Sequence, residues 1–382
     1  MYSRIINRPK KKSFFLFGPR GTGKSTWIRQ TFSDALYLDL LDDALFTDLL
    51  ARPHRLEELI PKNFKHPIII DEVQKIPALL DEVHRLIESK RHQFVLTGSS
   101  ARKLKQKGIN LLAGRALTLF LYPLTVFELG QDFNLEHSLR YGFLPSVYME
   151  SDPKRYLEAY VRTYLKEEVQ QEGLTRNLGA FSRFLEAASF SQGQVLSISE
   201  VARECSVERK VVENYFTILE DLLLGVRLPV FTKRAKRRMI SHTKFYLFDA
   251  GVYRTIRPSG PLDRPEEIEG AALETLFFQE VRALNEYHDL GYTLYYWHTA
   301  NDMEVDFVVY GERGIFAFEI KRAKRFSRND LTGLKLFLKD YPGANAYFVY
   351  GGDRREEVDG ITIIPYEKCI QNLAALLTST PF

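Results

Sequence analysis

Eight residues near the start of the chain, Gly18-Pro19-Arg20-Gly21-Thr22-Gly23-Lys24-Ser25, carry the spacing G-x-x-x-x-G-K-[ST]. Each residue type has a use there. The glycines let backbone N–H groups curl around phosphate oxygens, and the helix that follows (STWIRQTF) adds the positive end of its dipole. Lys24 sets a point charge beside the outer phosphates, and Ser25 offers a hydroxyl to Mg²⁺. The apolar run FFLF precedes the loop and a helical pattern follows it, which is the context this spacing needs.

Two further strings end apolar strands in polar residues. Pro67-Ile-Ile-Ile-Asp71-Glu72 puts two acids at a strand end. Asp71 could hold Mg²⁺, and Glu72 could take a proton from an attacking water. Phe94-Val-Leu-Thr97-Gly98-Ser99-Ser100 ends in hydroxyls that could orient that water. In their order, loop, D-E strand and hydroxyl strand resemble the AAA+ ATPases over residues 13–130, and IIIDEVQKIP, LTGSS and LLAGRALTLFLYPLT look like one prokaryotic group of them. The resemblance implies nucleotide contacts from Gly18, Pro19, Arg20, Gly21, Thr22, Gly23, Lys24, Ser25 and Thr26. It also implies ATP with Mg²⁺ at Ser25 and Asp71, catalysis at Glu72 and Lys24, and a sensor at Ser99. Many members carry Asn at the sensor position. Arg115, just before the last core strand, is a candidate arginine finger reaching a neighbouring copy. It could equally pair with Glu128 or lie on the surface.

The C-terminal stretch holds a second constellation. Asp306 lies in MEVDFVV and Glu319 and Lys321 in FAFEIK, a D-x₁₂-E-x-K spacing. Side chains alternate along a strand, so Glu319 and Lys321 share one face while Phe316, Phe318 and Ile320 bury on the other. A hairpin through YGERG would bring Asp306 beside Glu319. Two acids could bind Mg²⁺, and the lysine could offset phosphate charge. Glu274, on the face of a long helix shared by Phe277 and Val281, is a third acid, and Glu280 meets the same criterion. A carboxylate on a buried face is costly without a partner. The set resembles the PD-(D/E)xK nuclease core over residues 268–350 and implies catalytic roles for Glu274, Asp306, Glu319 and Lys321. Surface ion pairs, or the fold without cleavage, are the plainer readings.

Between these regions, residues 198–216 read as helix, tight turn, helix, with Ser206 as N-cap of the second helix. The sequel LLLGVRLPVF suggests the strand pair of a winged helix. Arg209 and Lys210 open the second helix, where a recognition helix meets DNA. Lys233, Arg234, Lys236, Arg237 and Arg238 fill five of six positions soon after and could grip phosphates. A helical protein-interaction module with a solvated basic loop is the alternative.

The elements that must position these groups follow from pattern. Strand candidates at Phe14–Phe17, Ala35–Leu40, Pro67–Ile70, Phe94–Thr97 and Ala116–Tyr122 are near-continuous apolar runs, as strands covered on both faces should be. Helical patterns between them give the βαβ rhythm of a parallel sheet. The expected fold is therefore α/β: an ATPase sheet at 1–132, a helical and winged-helix part at 133–240, and a restriction-endonuclease-like α/β domain at 241–382. Composition fits a globular chain: 382 residues, 45% apolar, 27% charged, with 53 Lys plus Arg against 49 Asp plus Glu. A net +4 over so many charges does not by itself point to nucleic acid. Cys205 and Cys369 match no metal or redox spacing, and the histidines show no zinc pattern. The apolar stretch 116–127 is too short to span a bilayer, which takes about 20 residues, and the start lacks a signal-peptide core. The expectation is a cytoplasmic, oligomeric ATPase acting on DNA. An ATP-controlled DNA-binding switch without cleavage and an ATPase regulating a protein partner are the alternatives.

Overall fold

The structure is a computed structural model that describes residues 2–99, 104, 112, 114–165, 169, 177–261 and 263–378. Ser100 of the hydroxyl strand lies outside the described residues. The chain divides into two compact units, one of Arg4–Tyr122 with Asp221–Leu224 and one of Pro123–Glu220 with the first three residues and those from Gly225 on.

In the first unit, β1 (Ser13–Phe17), β2 (Leu36–Asp39), β3 (Ile68–Asp71), β4 (Phe94–Gly98) and β5 (Ala116–Phe120) form a parallel sheet in the order β2-β3-β4-β1-β5. Parallel neighbours need crossovers, and the helices α1 (Lys24–Thr31), α2 (Asp43–Ala51) and α3 (Leu79–Lys90) supply them. Alternation sorts the strand residues by face. Phe15, Phe17, Ile68, Ile70, Phe94 and Leu96 join Leu49, Leu79, Val83 and Leu86 in one buried cluster. On the opposite side Phe14 meets Trp27 edge-on at 6.5 Å. Strands β1, β3 and β4 are buried throughout. β5 departs from the covered-strand expectation: it is the sheet edge, and Leu117 and Thr118 are exposed. The phosphate loop, Asp71 and Gly98 all lie at the carboxyl ends of adjacent strands, the crest where open α/β sheets bind ligands.

The second unit begins with a helical region, from Val126–Leu129 to Arg209–Asp221. Then β6 (Gly225–Leu228) pairs antiparallel with β7 (Lys244–Leu247). The helix Pro265–Tyr287 leads into a mixed sheet of β8 (Thr293–His298), β9 (Glu304–Gly311), β10 (Gly314–Lys321), β11 (Ala344–Tyr350), β12 (Glu356–Val358) and β13 (Ile361–Pro365). Its order is β12-β13-β11-β10-β9-β8. β8, β9 and β10 form an antiparallel meander, and the helix Thr332–Asp340 carries the chain to β11, parallel to β10. The stretches expected as separate domains, 133–240 and 241–382, both lie in this unit apart from Asp221–Leu224. β6 and β7 pair across that boundary, and Phe231 of their connection is buried with Trp297, Val308, Phe337 and Phe348 in the core of the mixed sheet. Among the described residues no helix is long and apolar enough to cross a membrane.

The helix Pro265–Tyr287 holds Glu280 at 1% exposure, where it accepts the Val126 N–H at 3.0 Å. That bond seats the short helix whose capping box is Thr125 and Glu128. Burial pushes the Glu280 carboxyl up to about 8, against the lowering effect of the Val126 bond. A folded-state value raised above the ordinary 4.5 means that stability is greatest at acid pH and is lost as pH rises toward about 8. Glu280→Gln mimics the protonated acid. Urea titrations should therefore show wild type losing up to about 1.4 kcal/mol per pH unit relative to this variant over that window. Parallel pH profiles for the two proteins would reject the assignment.

Candidate functional site

The phosphate loop leaves β1 at Phe17 and enters α1 at Lys24. Gly21 and Gly23 both take positive φ, a region that favours glycine. Gly18 packs so closely on the Leu121 carbonyl that a Cβ there would collide with it. Thr22 Oγ1 donates to the Pro19 carbonyl at 2.9 Å and fixes the loop's curl. Lys24 is buried, its ammonium 2.7 Å from the Gly18 oxygen and 3.1 Å from that of Pro19. No side chain caps the first turn of α1. Its N–H groups face the loop, as an anion site requires. Arg20 and Thr26 are exposed on the flanks.

Asp71, 4% exposed, receives three hydroxyls: Ser25 Oγ at 2.9 Å, Tyr37 Oη and Thr97 Oγ1. Sequence pattern points to Ser25 but does not single out Tyr37 or assign Thr97 to Asp71. Burial, then the bond to Asp71, pushes the Tyr37 phenol up to about 12, so it stays a donor at neutral pH. The Arg29 guanidinium lies over its ring at 4.2 Å, a cation–π contact. Glu72 follows in the left-handed region, an uncommon conformation for a long side chain. Its N–H is held by Thr97 Oγ1 at 3.2 Å. Its carboxylate accepts from Gln74 Nε2, and the same nitrogen lies 3.4 Å from Ser99 Oγ. Arg115 is exposed and pairs with Glu88 of α3, whose carboxyl it pulls down.

In the second unit the helix-turn-helix pattern appears as Ile198–Cys205 and Arg209–Asp221. Ser197, not Ser206, supplies a cap. Ser206 takes a left-handed conformation at the end of the first helix, so the turn uses its backbone and the second helix starts at Arg209. Val201, Ala202, Val212, Tyr215 and Phe216 bury one side, leaving Arg209 and Lys210 exposed. The strand pair is also redistributed: LLLGVRLPVF supplies only β6, and the basic run lies in the connection to β7. Lys233, Arg234, Lys236, Arg237 and Arg238 are all exposed. Part of their charge is engaged locally: Arg237 pairs with Asp340 at 2.7 Å, and Lys233 sits over the Tyr310 ring at 4.7 Å.

The third constellation converges. Asp306 on β9 accepts the Ile320 N–H of β10 at 2.8 Å, and Glu319 pairs with Lys321 at 2.7 Å. Glu274 accepts the Tyr246 hydroxyl at 2.8 Å. Burial, then the charge of Asp306, raises both Glu274 and Glu319, opposed by the lysines. Glu319 Oε2 is buried without a hydrogen-bond partner among the described residues. The group that sequence reasoning missed is Lys244 of β7. Its side chain is 3% exposed, lies 3.4 Å from Asp306 Oδ1 and pairs with Glu304. Burial alone would lower its pKa, but Asp306, Glu274 and Glu304 together hold the ammonium well above the ordinary range. Its signal was period two: Lys244 and Tyr246 alternate with Phe245 and Leu247 on a short strand, so both share the acids' face. Among the described residues no three His, Cys, Asp or Glu side chains form a group that could hold a metal ion.

Comparison with known proteins bears on each part. Residues 10–130 match a family model described as an AAA domain, so this part is similar to AAA-type ATPases. Residues 132–263 and 269–369 match two domains of unknown function. Uncharacterized proteins of Mycobacterium bovis and Mycobacterium tuberculosis are each 28% identical over 365 residues, covering 93% of this chain and 80% of theirs. Among solved structures, the Aeropyrum pernix ORC1 protein in complex with DNA is 14% identical over 65% of this chain and 87% of its own, with a TM-score of 0.26. A Vibrio cholerae protein is 12% identical over 96% and 97%, with a TM-score of 0.24. Scores of this size do not define a shared overall fold.

Removing one partner of a buried pair strands the other charge, at a cost of about 3–5 kcal/mol. Lys244→Met should therefore lower the unfolding free energy of the second unit by that order at neutral pH in urea titrations. Adding Asp306→Asn should recover part of the loss, since it removes one stranded acid. A Lys244→Met protein as stable as wild type would show that the ammonium does not neutralise this cluster.

Proposed function

We propose that this chain binds and hydrolyses ATP at the phosphate loop and uses that cycle to act on DNA through its second unit. The observation that carries the reading is the meeting of Ser25, Asp71, Glu72 and Thr97 at the carboxyl ends of β3 and β4. Ser25 and Asp71 offer a hydroxyl and a carboxylate, the hard oxygen donors Mg²⁺ takes beside substrate phosphates, so the ion fits. When bound it would neutralise phosphate charge. Lys24 adds its own positive charge to the outer phosphates. Glu72 accepts a proton as water attacks the terminal phosphorus and the bond to the leaving phosphate oxygen breaks. Ser99 helps orient that water. Arg115 of a neighbouring copy, released from Glu88, would complete the site in a homo-oligomer.

For DNA, the supporting features are Arg209 and Lys210 on the exposed start of a helix and the basic run in the β6–β7 connection. The order helix, three strands, helix, strand, with Glu274, Asp306, Glu319 and Lys321 converging, supports a nuclease-like reading of the C-terminal sheet. Lys244 favours a second reading, an ATP-controlled DNA-binding switch that does not cut. Its ammonium already neutralises Asp306 and Glu304, so the cluster does not fit Mg²⁺ while Lys244 is seated. A cleavage panel over single-strand, duplex, forked and four-way DNA with Mg²⁺ and ATP separates the two readings.

Lys24→Ala should abolish ATP binding or turnover. Glu72→Gln should keep binding and lower turnover by about 10²–10⁴-fold. Phosphate release and nucleotide affinity measured together check both, and wild-type turnover in Glu72→Gln would refute its role as base.

Charge reversal at Lys233, Arg234, Lys236, Arg237 and Arg238 should weaken DNA binding. It should also flatten the salt slope by about one counterion for each phosphate no longer held. Affinities measured at several salt concentrations test this. An unchanged slope would point instead to a protein-binding module.

A further inference from the structure

Gln74 touches both residues read above as handling the attacking water. It is 6% exposed. Its Nε2 donates to Glu72 Oε2 and lies 3.4 Å from Ser99 Oγ. The orientation of the amide follows from chemistry, because an ionised carboxylate only accepts and so must face the nitrogen. The other end, Oε1, is buried with no hydrogen-bond partner among the described residues. It points at Gly98, where any Cβ would collide with it. The backbone cooperates. The left-handed turn at Glu72 is pinned by Thr97 Oγ1 on its N–H and by the Lys75 N–H on its carbonyl at 2.9 Å, and it brings residues 72 and 74 to the same side. A strained backbone, a buried amide and a missing side chain at position 98 thus converge on one carboxylate.

We infer that Gln74 is the positioning residue for Glu72. Its amide holds the carboxylate in register with Ser99, and its Oε1, seated against Gly98, fixes the amide's orientation. The inference rests on Glu72 being the base of ATP hydrolysis. A base displaced by about 1 Å can cost about 10²-fold in rate. Gln74 hydrogen-bonds Glu72 and packs on Gly98 rather than bonding the phosphate loop, so its loss should fall on turnover more than on nucleotide affinity.

The test uses the full chain and three proteins: wild type, Gln74→Met and Gln74→Glu. Gln74→Met keeps the volume and removes the donor. It should lose about tenfold to a hundredfold in kcat with ATP affinity unchanged. Gln74→Glu puts two carboxyls in contact, and such a pair shares one proton until its raised upper pKa is passed. Below that value the protonated acid introduced by Gln74→Glu donates to Glu72 as the amide did. Turnover should therefore be partly rescued at lower pH and fall as pH rises, on a limb that wild type lacks. Packing alone would give neither the split between kcat and affinity nor the pH-dependent rescue. Gln74→Met with wild-type kcat, or losing affinity in step with kcat, overturns the inference while leaving hydrolysis intact. A wild-type chain that releases no phosphate overturns the hydrolysis reading and this inference with it.

Discussion

One carboxylate ties the first unit together. Asp71 ends β3 and takes hydroxyls from α1, β2 and β4, so the loop-bearing helix and two neighbouring strands are referenced to a single buried group. A buried acid tolerates that position only when its lone pairs are met, and three hydroxyls meet them without adding a second charge. Ser25, Tyr37 and Thr97 lie far apart along the chain, yet each must reach the same two oxygens. The strand order satisfies this by placing β2 and β4 on either side of β3.

Much of this was legible from the chain because local physics dictates it. Phosphate chemistry asks for glycines, a lysine and a hydroxyl at fixed spacing, and strands buried on both faces read as unbroken apolar runs. Asp306, Glu319 and Lys321 were legible because strand alternation fixes their face. The rest depends on pairings that sequence does not display. Lys244 enters the acid cluster because β7 pairs with β6 across a long connection. Gln74 matters only because Glu72 adopts a left-handed backbone, which no residue type announces. Ser206 suits a cap by residue type, but the turn uses its backbone instead. The strand that pairs with β6 lies beyond the basic run rather than within LLLGVRLPVF.

The second unit handles its charges differently. Glu274, Glu304, Asp306 and Glu319 face two lysines, with Lys244, Asp306 and Glu319 buried and Lys321 and Glu304 at the solvent edge. Burying Lys244 and Asp306 together carries a desolvation cost that their attraction offsets only in part, so the pair is weak as a source of net stability. The strand that carries Lys244 is β7, fastened by that side chain to β9 and by its backbone to β6. The helical pair and the mixed sheet therefore share an element.

The sheet order of the first unit also governs how the molecule can be made. β1 lies between β4 and β5, and Phe14 pairs with Val95 and Leu117, both far downstream. On a ribosome the first strand to emerge can only wait, since neither neighbour exists until most of that unit has been synthesised. Asp221–Leu224 also belong to this unit, with Leu223 packed on its core. Its last piece therefore arrives only after the helical region has been translated. An apolar strand as complete as Phe14–Phe17 has no sheet partner until β4 has been made, the kind of exposed strand that is prone to aggregate during synthesis.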